Sequence, residues 1–173
     1  MHEIEIKKML DMALNARGRA YAPYSSYKTG ACVKAESGAY YYACNVENPR
    51  MELSVCAERA AIFKGISECE RRFTAIAMVG TGDAVHLPCP ACREVFKEFL
   101  APDAAIITAT QSGRVSSFTL DELISASAEN EQAAACQQSD GYAEDTSGIL
   151  PMQLEFAPVC DSASEGYYDG QQL

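Results

Sequence analysis

The amino-acid sequence predicts an α/β fold in which helices pack on a mixed sheet of five strands. Three observations carry this prediction. Segments with helical apolar spacing alternate with short apolar runs of strand length, Gly, Pro and small polar residues separate them, and 173 residues are enough for one domain with its own core. The predicted helices span 4–19, 55–67, 90–100 and 120–125, and the predicted strands span 29–35, 39–45, 73–79, 104–110 and 114–118.

The N-terminal part predicts one helix followed by a β-hairpin. Apolar residues recur at helical spacing from Ile6 to Leu14, and Pro23 then breaks the pattern. The next two apolar segments flank the turn 36–38, with the sequence Glu-Ser-Gly, which is typical of a hairpin.

In the rest of the domain, helices and strands alternate. Ser54 is the predicted N-cap of the second helix. The apolar run 73–79 is short enough for a buried strand, and Pro90 fits the first turn of the third helix because the amide there has no helical partner. The turn 111–113 separates the last two strands, and a short helix follows them.

The charge of the chain is unevenly distributed and divides it into two parts. The formal net charge is −10, yet residues 1–126 hold all 14 basic residues against 15 acidic ones, whereas residues 127–173 hold nine acidic residues and no basic one. We therefore predict a catalytic domain over 1–126 and an acidic, largely disordered tail over 127–173, in which the apolar segment 149–156 is a possible docking element. A nearly neutral domain without a basic stripe argues against nucleic acid as a partner and favours a small, roughly neutral substrate.

No apolar stretch approaches the roughly 18 residues that a membrane-spanning helix needs, so no membrane partner is expected. The N-terminus has no basic segment leading into an apolar run, and no signal peptide is expected. The eight cysteines are accordingly interpreted as reduced thiols of a cytoplasmic protein.

Three of these cysteines have the spacing of a metal site. Cys56 precedes Glu58 by two residues, and about thirty residues later Cys89 and Cys92 lie one helical turn apart. Both groups fall at predicted helix N-termini, where exposed amides stabilise a thiolate. Three thiolates and an open position favour zinc over iron, which the sequence alone does not exclude, and Arg59 can withdraw charge from the sulfur atoms. Glu58 can lie over the open position and take a proton from water, which predicts a hydrolytic site.

At this point the chain strongly resembles the small zinc-dependent cytidine deaminases. The resemblance covers roughly residues 5–125 and rests on five motifs in the order of that family. They are Ala-Tyr-Ala-Pro-Tyr-Ser at 20–25, Thr-Gly-Ala at 29–31, Cys-Asn-Val-Glu-Asn at 44–48, Cys-Ala-Glu-Arg at 56–59 and Pro-Cys-Pro-Ala-Cys-Arg at 88–93.

The resemblance implies a three-layer α-β-α fold, one zinc ion per subunit and hydrolysis of cytidine or deoxycytidine to uridine or deoxyuridine in pyrimidine salvage. It also implies a homotetramer with shared active sites. Asn45 and Glu47 would hold the ribose hydroxyls, Tyr27 would stand against the base, and Ala57 would belong to the substrate-binding residues. The residue types agree for Asn45 and Glu47, since an amide and a carboxylate at the end of one strand suit a pair of hydroxyls.

Three positions around the site depart from the family pattern, and a charged residue lies beside one of them. Pro90 replaces the glycine of the usual motif, and Met51 stands where the family usually has Tyr. Arg50 adds a charge near the expected entrance, and Glu94, where Gln is usual, is expected to bring a negative charge close to the thiolates. The tail is a further departure, because residues 126–147 read as an insertion, after which Phe156 is expected to pack near a neighbouring subunit's site.

Other interpretations of the same residues remain open. The three cysteines could form a structural zinc site with His86 as fourth ligand. The enzyme could act on another aminopyrimidine nucleoside, such as a blasticidin-type antibiotic, or be a catalytically silent, zinc-stabilised interaction protein. Cys32, Cys44 and Cys69 are expected to be small buried hydrophobic residues.

Overall fold

The computed structural model describes residues 2–123 of the chain. The order of elements, helix, hairpin, helix, strand, helix, strand, strand, is the predicted one. The elements are α1 (Glu3–Gly18), β1 (Gly30–Ala35), β2 (Tyr40–Cys44), a 3-10 turn (Met51–Leu53), α2 (Ala57–Ser67), β3 (Phe73–Val79), α3 (Pro90–Phe99), β4 (Leu100–Ala109) and β5 (Val115–Phe118). A helical turn begins at 120, while the predicted boundary at 126, the tail 127–173, the segment 149–156 and Phe156 lie outside the described residues.

The five strands form one mixed sheet in the order β2-β1-β3-β4-β5. Only β3 and β4 run parallel, joined by α3, and the other neighbours are antiparallel. At one end of the sheet Gly30 pairs with both Cys44 and Val79, and Val79 pairs with Ala109. We call this the site end of the sheet, because the segments that leave β2 and β3 there carry the candidate site residues.

The sheet has a hydrophobic core on each face, which confirms the three-layer arrangement. Along β3, Ile76 and Met78 face the core that α2 and α3 cover, whereas Ala75, Ala77 and Val79 face the core that α1 covers. The small alanines let α1 approach the sheet closely. A side chain at Gly30 would collide with the α1 backbone, so the glycine of the Thr-Gly-Ala motif is required by packing. Within residues 2–123, the structure contains no helix that could span a membrane.

Three local predictions are wrong. The fourth strand, predicted from 104, begins at Leu100, directly after α3. Ser54 does not cap α2: Val55 is extended and bridges to Val46, Cys56 is the N-cap, and the helix begins at Ala57. The predicted buried position of Cys69 is also incorrect, because this residue is exposed and adopts a φ of 70° in the turn that ends α2. Cys32 is buried as expected, and Cys44 is half-buried.

Candidate metal centre and active site

Three cysteines from two helix starts meet at the site end of the sheet. Cys56 and Cys89 are the N-caps of α2 and α3, and Cys92 lies in the first turn of α3. The Sγ atoms of Cys56 and Cys89 are 3.8 Å apart, those of Cys89 and Cys92 are 3.5 Å apart, and all three lie within 4.8 Å of one another. Neither N-cap side chain bonds to the helix backbone, so both sulfurs are available as ligands.

The electrostatics of this cluster call for a cation. A hydrogen bond from Cys92, assisted by Arg59 and Cys89, lowers the pKa of the Cys56 thiol to about 6 against the opposing effects of burial and Glu58. The same hydrogen bond with Cys56, together with burial, raises the pKa of the Cys92 thiol. The Cys92 thiol therefore does not ionise beside that of Cys56 without compensating positive charge, and a divalent metal ion would supply that charge. The donor set fits zinc, which prefers sulfur ligands in tetrahedral sites.

Arg59 contacts the cluster from within α2. Its Nη2 atom lies 3.8 Å from the sulfur of Cys56 and donates a hydrogen bond of 3.1 Å to the carbonyl oxygen of Ser54. One guanidinium group therefore fixes the segment before α2 and places positive charge beside the thiolate.

Glu58 is the most deeply buried acidic residue of the site, with 2% of its side chain exposed. Its Oε1 atom lies 3.0 Å from Nε2 of His86. Its Oε2 atom is buried and has no hydrogen-bond partner among the described residues. A buried carboxylate oxygen without a partner is costly, so this atom is suited to bind a water molecule or a substrate proton.

A cavity of about 180 Å³ opens beside this carboxylate. Thirteen described residues line it, and none is Lys or Arg: Tyr27, Thr29, Asn45, Val46, Glu47, Met51, Ser54, Val55, Cys56, Glu58, His86, Leu87 and Cys89. A larger, more open groove of about 560 Å³ lies along α1, on the other face of the sheet from α2 and α3, and the three-cysteine cluster is not part of it. The smaller cavity is therefore the candidate substrate site.

Asn45 and Glu47 both line the cavity, and both also hold neighbouring backbone. Asn45 accepts a hydrogen bond from the amide of Thr29 at 2.8 Å and donates one to the carbonyl of Tyr27 at 2.9 Å. Glu47 accepts hydrogen bonds from the amides of Tyr24 and Ser25 and from the Ser25 hydroxyl. The Ser25 hydroxyl, followed by the two amides, lowers the pKa of Glu47 against the effect of burial, which keeps the carboxylate ionised.

The other two predicted substrate residues differ in their placement. Tyr27 lines the cavity and is 38% exposed. The Ala57 side chain is fully buried in the core and does not line the cavity, so this residue offers only its main chain, at the start of α2, to a ligand.

His86 is the site residue whose position the sequence did not predict. By sequence it is a candidate fourth metal ligand, but both of its ring nitrogens contact other groups: Nε2 contacts the carboxylate of Glu58, and Nδ1 contacts the hydroxyl of Tyr27 at 3.2 Å. Its only sequence signal is that it precedes Cys89 by three residues in the loop between β3 and α3. Nothing in the spacing connects it with Tyr27.

The three departures from the family pattern, and Arg50 beside one of them, lie in different surroundings. Pro90 occupies the first turn of α3, as predicted. Met51 lines the cavity with 60% of its surface exposed, and Arg50 is exposed beside it. The expectation for Glu94 is wrong: its side chain is 70% exposed and pairs with Lys97 at 2.6 Å, because it lies on the outer surface of α3.

The comparisons with known proteins agree with this geometry. Residues 4–109 match the family model described as the cytidine and deoxycytidylate deaminase zinc-binding region. The chain is 35% identical to a cytidine deaminase of Sporosarcina psychrophila over 70% of this chain and 89% of the relative, and 35% identical to one of Halalkalibacterium halodurans over 67% and 88%.

Solved structures give the same result. The crystal structure of cytidine deaminase from Burkholderia pseudomallei superposes with a TM-score of 0.66 at 35% identity, covering 71% of this chain and 96% of that one. The cytidine deaminase structure from Mycobacterium tuberculosis gives a TM-score of 0.57 at 30% identity, over 68% and 92%. This chain therefore belongs to the zinc-dependent cytidine and deoxycytidylate deaminase family.

Proposed function

We propose that this protein hydrolyses cytidine and deoxycytidine to uridine and deoxyuridine with release of ammonia. The observation that carries the proposal is the buried carboxylate of Glu58, which lines the cavity together with Cys56 and Cys89 and has one oxygen without a partner among the described residues. A base next to a metal centre is the arrangement that nucleobase hydrolysis requires.

In this reaction water adds to C4 of the pyrimidine ring, and the amino group leaves as ammonia. Cys56, Cys89 and Cys92 would hold the zinc ion, and a zinc ion in such a site supplies a water molecule that is deprotonated near neutral pH. Glu58 takes a proton from the attacking water and gives it to N3 of the ring. It then takes the remaining proton from the new C4 hydroxyl and gives it to the amino group, so that the C4–N bond breaks, ammonia leaves and C4 becomes a carbonyl. Its burial keeps bulk water away from these transfers.

The lining of the cavity favours a nucleoside over a nucleotide. The family includes deaminases of both kinds, and a 5′-phosphate carries charge that proteins neutralise with Lys, Arg or helix N-termini. The described lining contains no Lys or Arg and includes the carboxylate of Glu47, and the two helix N-termini at this cavity, those of α2 and α3, already carry the cysteine cluster. A phosphate in this cavity would therefore meet net negative charge.

A panel of cytidine, deoxycytidine, CMP and blasticidin S tests the proposal by ammonia release. We expect turnover of cytidine and deoxycytidine, loss of turnover with a zinc chelator, and little turnover of CMP. Preference for blasticidin S would favour the antibiotic-deaminase alternative. Zinc content without turnover on any member of the panel would indicate a silent, zinc-stabilised protein and would contradict the proposal.

The ribose is proposed to bind Asn45 and Glu47, which have hydrogen-bonding capacity left after holding the backbone. The Asn45 amide uses one of its two N–H donors, and Glu47 uses about three of its four acceptor sites. The remaining donor and acceptor match the two hydroxyls of a ribose. The loop 24–27 and the ribose would thus be held by the same two side chains.

Glu47→Gln tests this assignment because it keeps the shape of the side chain and removes its charge. The Gln carbonyl can still accept from Tyr24 and Ser25, and its amide can donate to the Ser25 hydroxyl. We expect kcat/KM for cytidine to fall about 10-fold, since a hydrogen bond to a charged group is about twice as strong as a neutral one. The control substrate is 2′,3′-dideoxycytidine, on which the two enzymes should differ little. An equal loss on both substrates would mean that the substitution acts only through the loop.

We further propose a homotetramer with shared sites, acting in pyrimidine salvage in the cytoplasm. The support is the resemblance together with three apolar residues at the cavity, Val46, Met51 and Leu87, which are between 46% and 60% exposed. Apolar side chains around a ligand cavity are well suited to be covered by a second subunit. Light scattering on the full chain measures the assembly, and the mass of a single chain would contradict this part of the proposal.

A further inference from the structure

His86 links two candidate site residues that are far apart in the sequence. Its Nε2 atom lies 3.0 Å from Oε1 of Glu58, and its Nδ1 atom lies 3.2 Å from the hydroxyl of Tyr27. The His86 side chain is only 15% exposed, and its ring lies 5.9 Å from that of Tyr27, centroid to centroid. Three segments therefore meet in one hydrogen-bonded chain: the loop after α1, the loop after β3 and the first turn of α2.

One arrangement of protons satisfies both hydrogen bonds of His86. The hydroxyl of Tyr27 donates to Nδ1 of His86, and the Nε2–H group donates to Oε1 of Glu58. Burial, assisted by the negative charge of Glu58, raises the pKa of Tyr27, so the phenol keeps the proton that it donates. The tautomer of His86 is thus assigned from the groups that it contacts.

The Tyr27 end of this series of hydrogen bonds is itself held in place. A side chain at Gly80 would collide with the Tyr27 hydroxyl, so the tyrosine reaches His86 only because the backbone at the end of β3 carries no Cβ there. Arg17 donates a hydrogen bond of 2.7 Å to the carbonyl of Gly80, and Asn45 donates one to the carbonyl of Tyr27. These contacts fix the position of the hydroxyl that orients the imidazole.

The two oxygens of Glu58 consequently have different surroundings. Oε1 is held by His86, whereas Oε2 is buried without a partner in the described part of the chain. Proton transfer is efficient only when the base is held in a productive geometry, and small misplacements of reacting groups are costly. The contact with His86 restricts rotation of the carboxylate and leaves Oε2 free for the reaction.

We propose that His86 is a positioning residue, which orients the carboxylate of Glu58 for proton transfer and is itself oriented by the Tyr27 hydroxyl. The proposal rests on the deaminase activity inferred above. In this proposal His86 acts on Glu58, the general base, and is not a ligand of the metal. The three sulfurs form the metal-ligand cluster of the described chain without it.

His86→Leu is the primary test, because leucine removes both hydrogen bonds and keeps apolar volume. With cytidine as substrate we expect kcat to fall by up to about 100-fold while KM stays close to wild type, since substrate binding is retained and orientation of the base is lost. Zinc content should be unchanged. His86→Gln, which returns a donor toward Oε1, should recover most of kcat. His2→Leu replaces the chain's other histidine, which is exposed at the start of α1, and serves as the matched control.

The role of Tyr27 is tested by a double-mutant cycle. Tyr27→Phe should lower kcat in the wild-type background and have no effect in the His86→Leu background, because the hydroxyl acts through the imidazole.

The inference is overturned by an unchanged kcat in His86→Leu, by zinc loss in that variant, or by failure of His86→Gln to recover the rate. If His86→Leu does not fold, the question is decided by His86→Gln and Tyr27→Phe. Their melting temperatures and kcat values are compared with those of the wild type. Absence of cytidine turnover in the wild type would instead contradict the proposed function.

Discussion

Glu58→Gln is expected to lose nearly all ammonia release while keeping its zinc. The substitution keeps the size of the buried side chain and allows its carbonyl to accept the hydrogen bond from His86, but an amide cannot shuttle protons. We expect kcat to fall by about 10²- to 10⁴-fold or more, the usual contribution of general acid–base catalysis. Steady-state kinetics with cytidine and metal analysis of the same preparation measure the two quantities together.

The matched control is Glu36→Gln, an equivalent change in the exposed turn between β1 and β2, at the end of the sheet opposite the site. It should keep both activity and zinc. Glu58→Ala should also lose turnover and keep the metal, because the three cysteines are unchanged. Near-normal ammonia release by either Glu58 variant would refute the mechanism, and simultaneous loss of zinc would mean that the carboxylate serves the metal centre.

The metal cluster could be predicted from the sequence because its geometry is local. Cys89 and Cys92 are one helical turn apart, and Glu58 follows Cys56 by two residues at the start of a helix. Such spacings fix relative positions whatever the rest of the chain does. The two pairs of residues come together if their two helices begin at the same end of a sheet. The alternation of strands and helices already predicts that arrangement.

The contacts around Glu58 could not be predicted, because they depend on tertiary structure. His86 and Tyr27 are separated by 59 positions and meet only because Gly80 leaves room for the phenol. The backbone contacts of Asn45 are likewise set by the path of the loop before β1. Side-chain hydrogen bonds across such distances depend on loop conformation, which composition and periodicity do not determine.

The errors at element boundaries have a similar origin. Ser54 is a good N-cap by residue type, yet Val55 bridges to Val46 and so delays the helix until Cys56 can cap it. β4 begins at Leu100, directly after α3, because this residue pairs with Phe73 before the register shifts. In both places strand pairing with a distant segment overrides local preference.

Cys89→Ala is expected to lose zinc and turnover together, in contrast to the Glu58 variants. Cys89 is the cleanest ligand to remove, because its side chain makes no capping hydrogen bond to α3 and is only partly buried, whereas Cys92 is fully buried and its truncation would also create a cavity. Two remaining sulfurs would not complete a stable site for the metal. Metal analysis and ammonia release with cytidine are the measurements.

A third measurement separates loss of the metal from loss of the fold. Ligand binding stabilises the native state by about 2.7 kcal/mol at a free concentration 100 times Kd, so added zinc should raise the melting temperature of the metal-free wild type. It should have little effect on Cys89→Ala. Cys69→Ala removes an exposed thiol outside the cluster and should behave like wild type in all three measurements. The three cysteines that would hold zinc belong to two helix starts. A Cys89 variant that kept full zinc, activity and thermal response would show that the metal is held elsewhere, and the assignment of the site would be wrong.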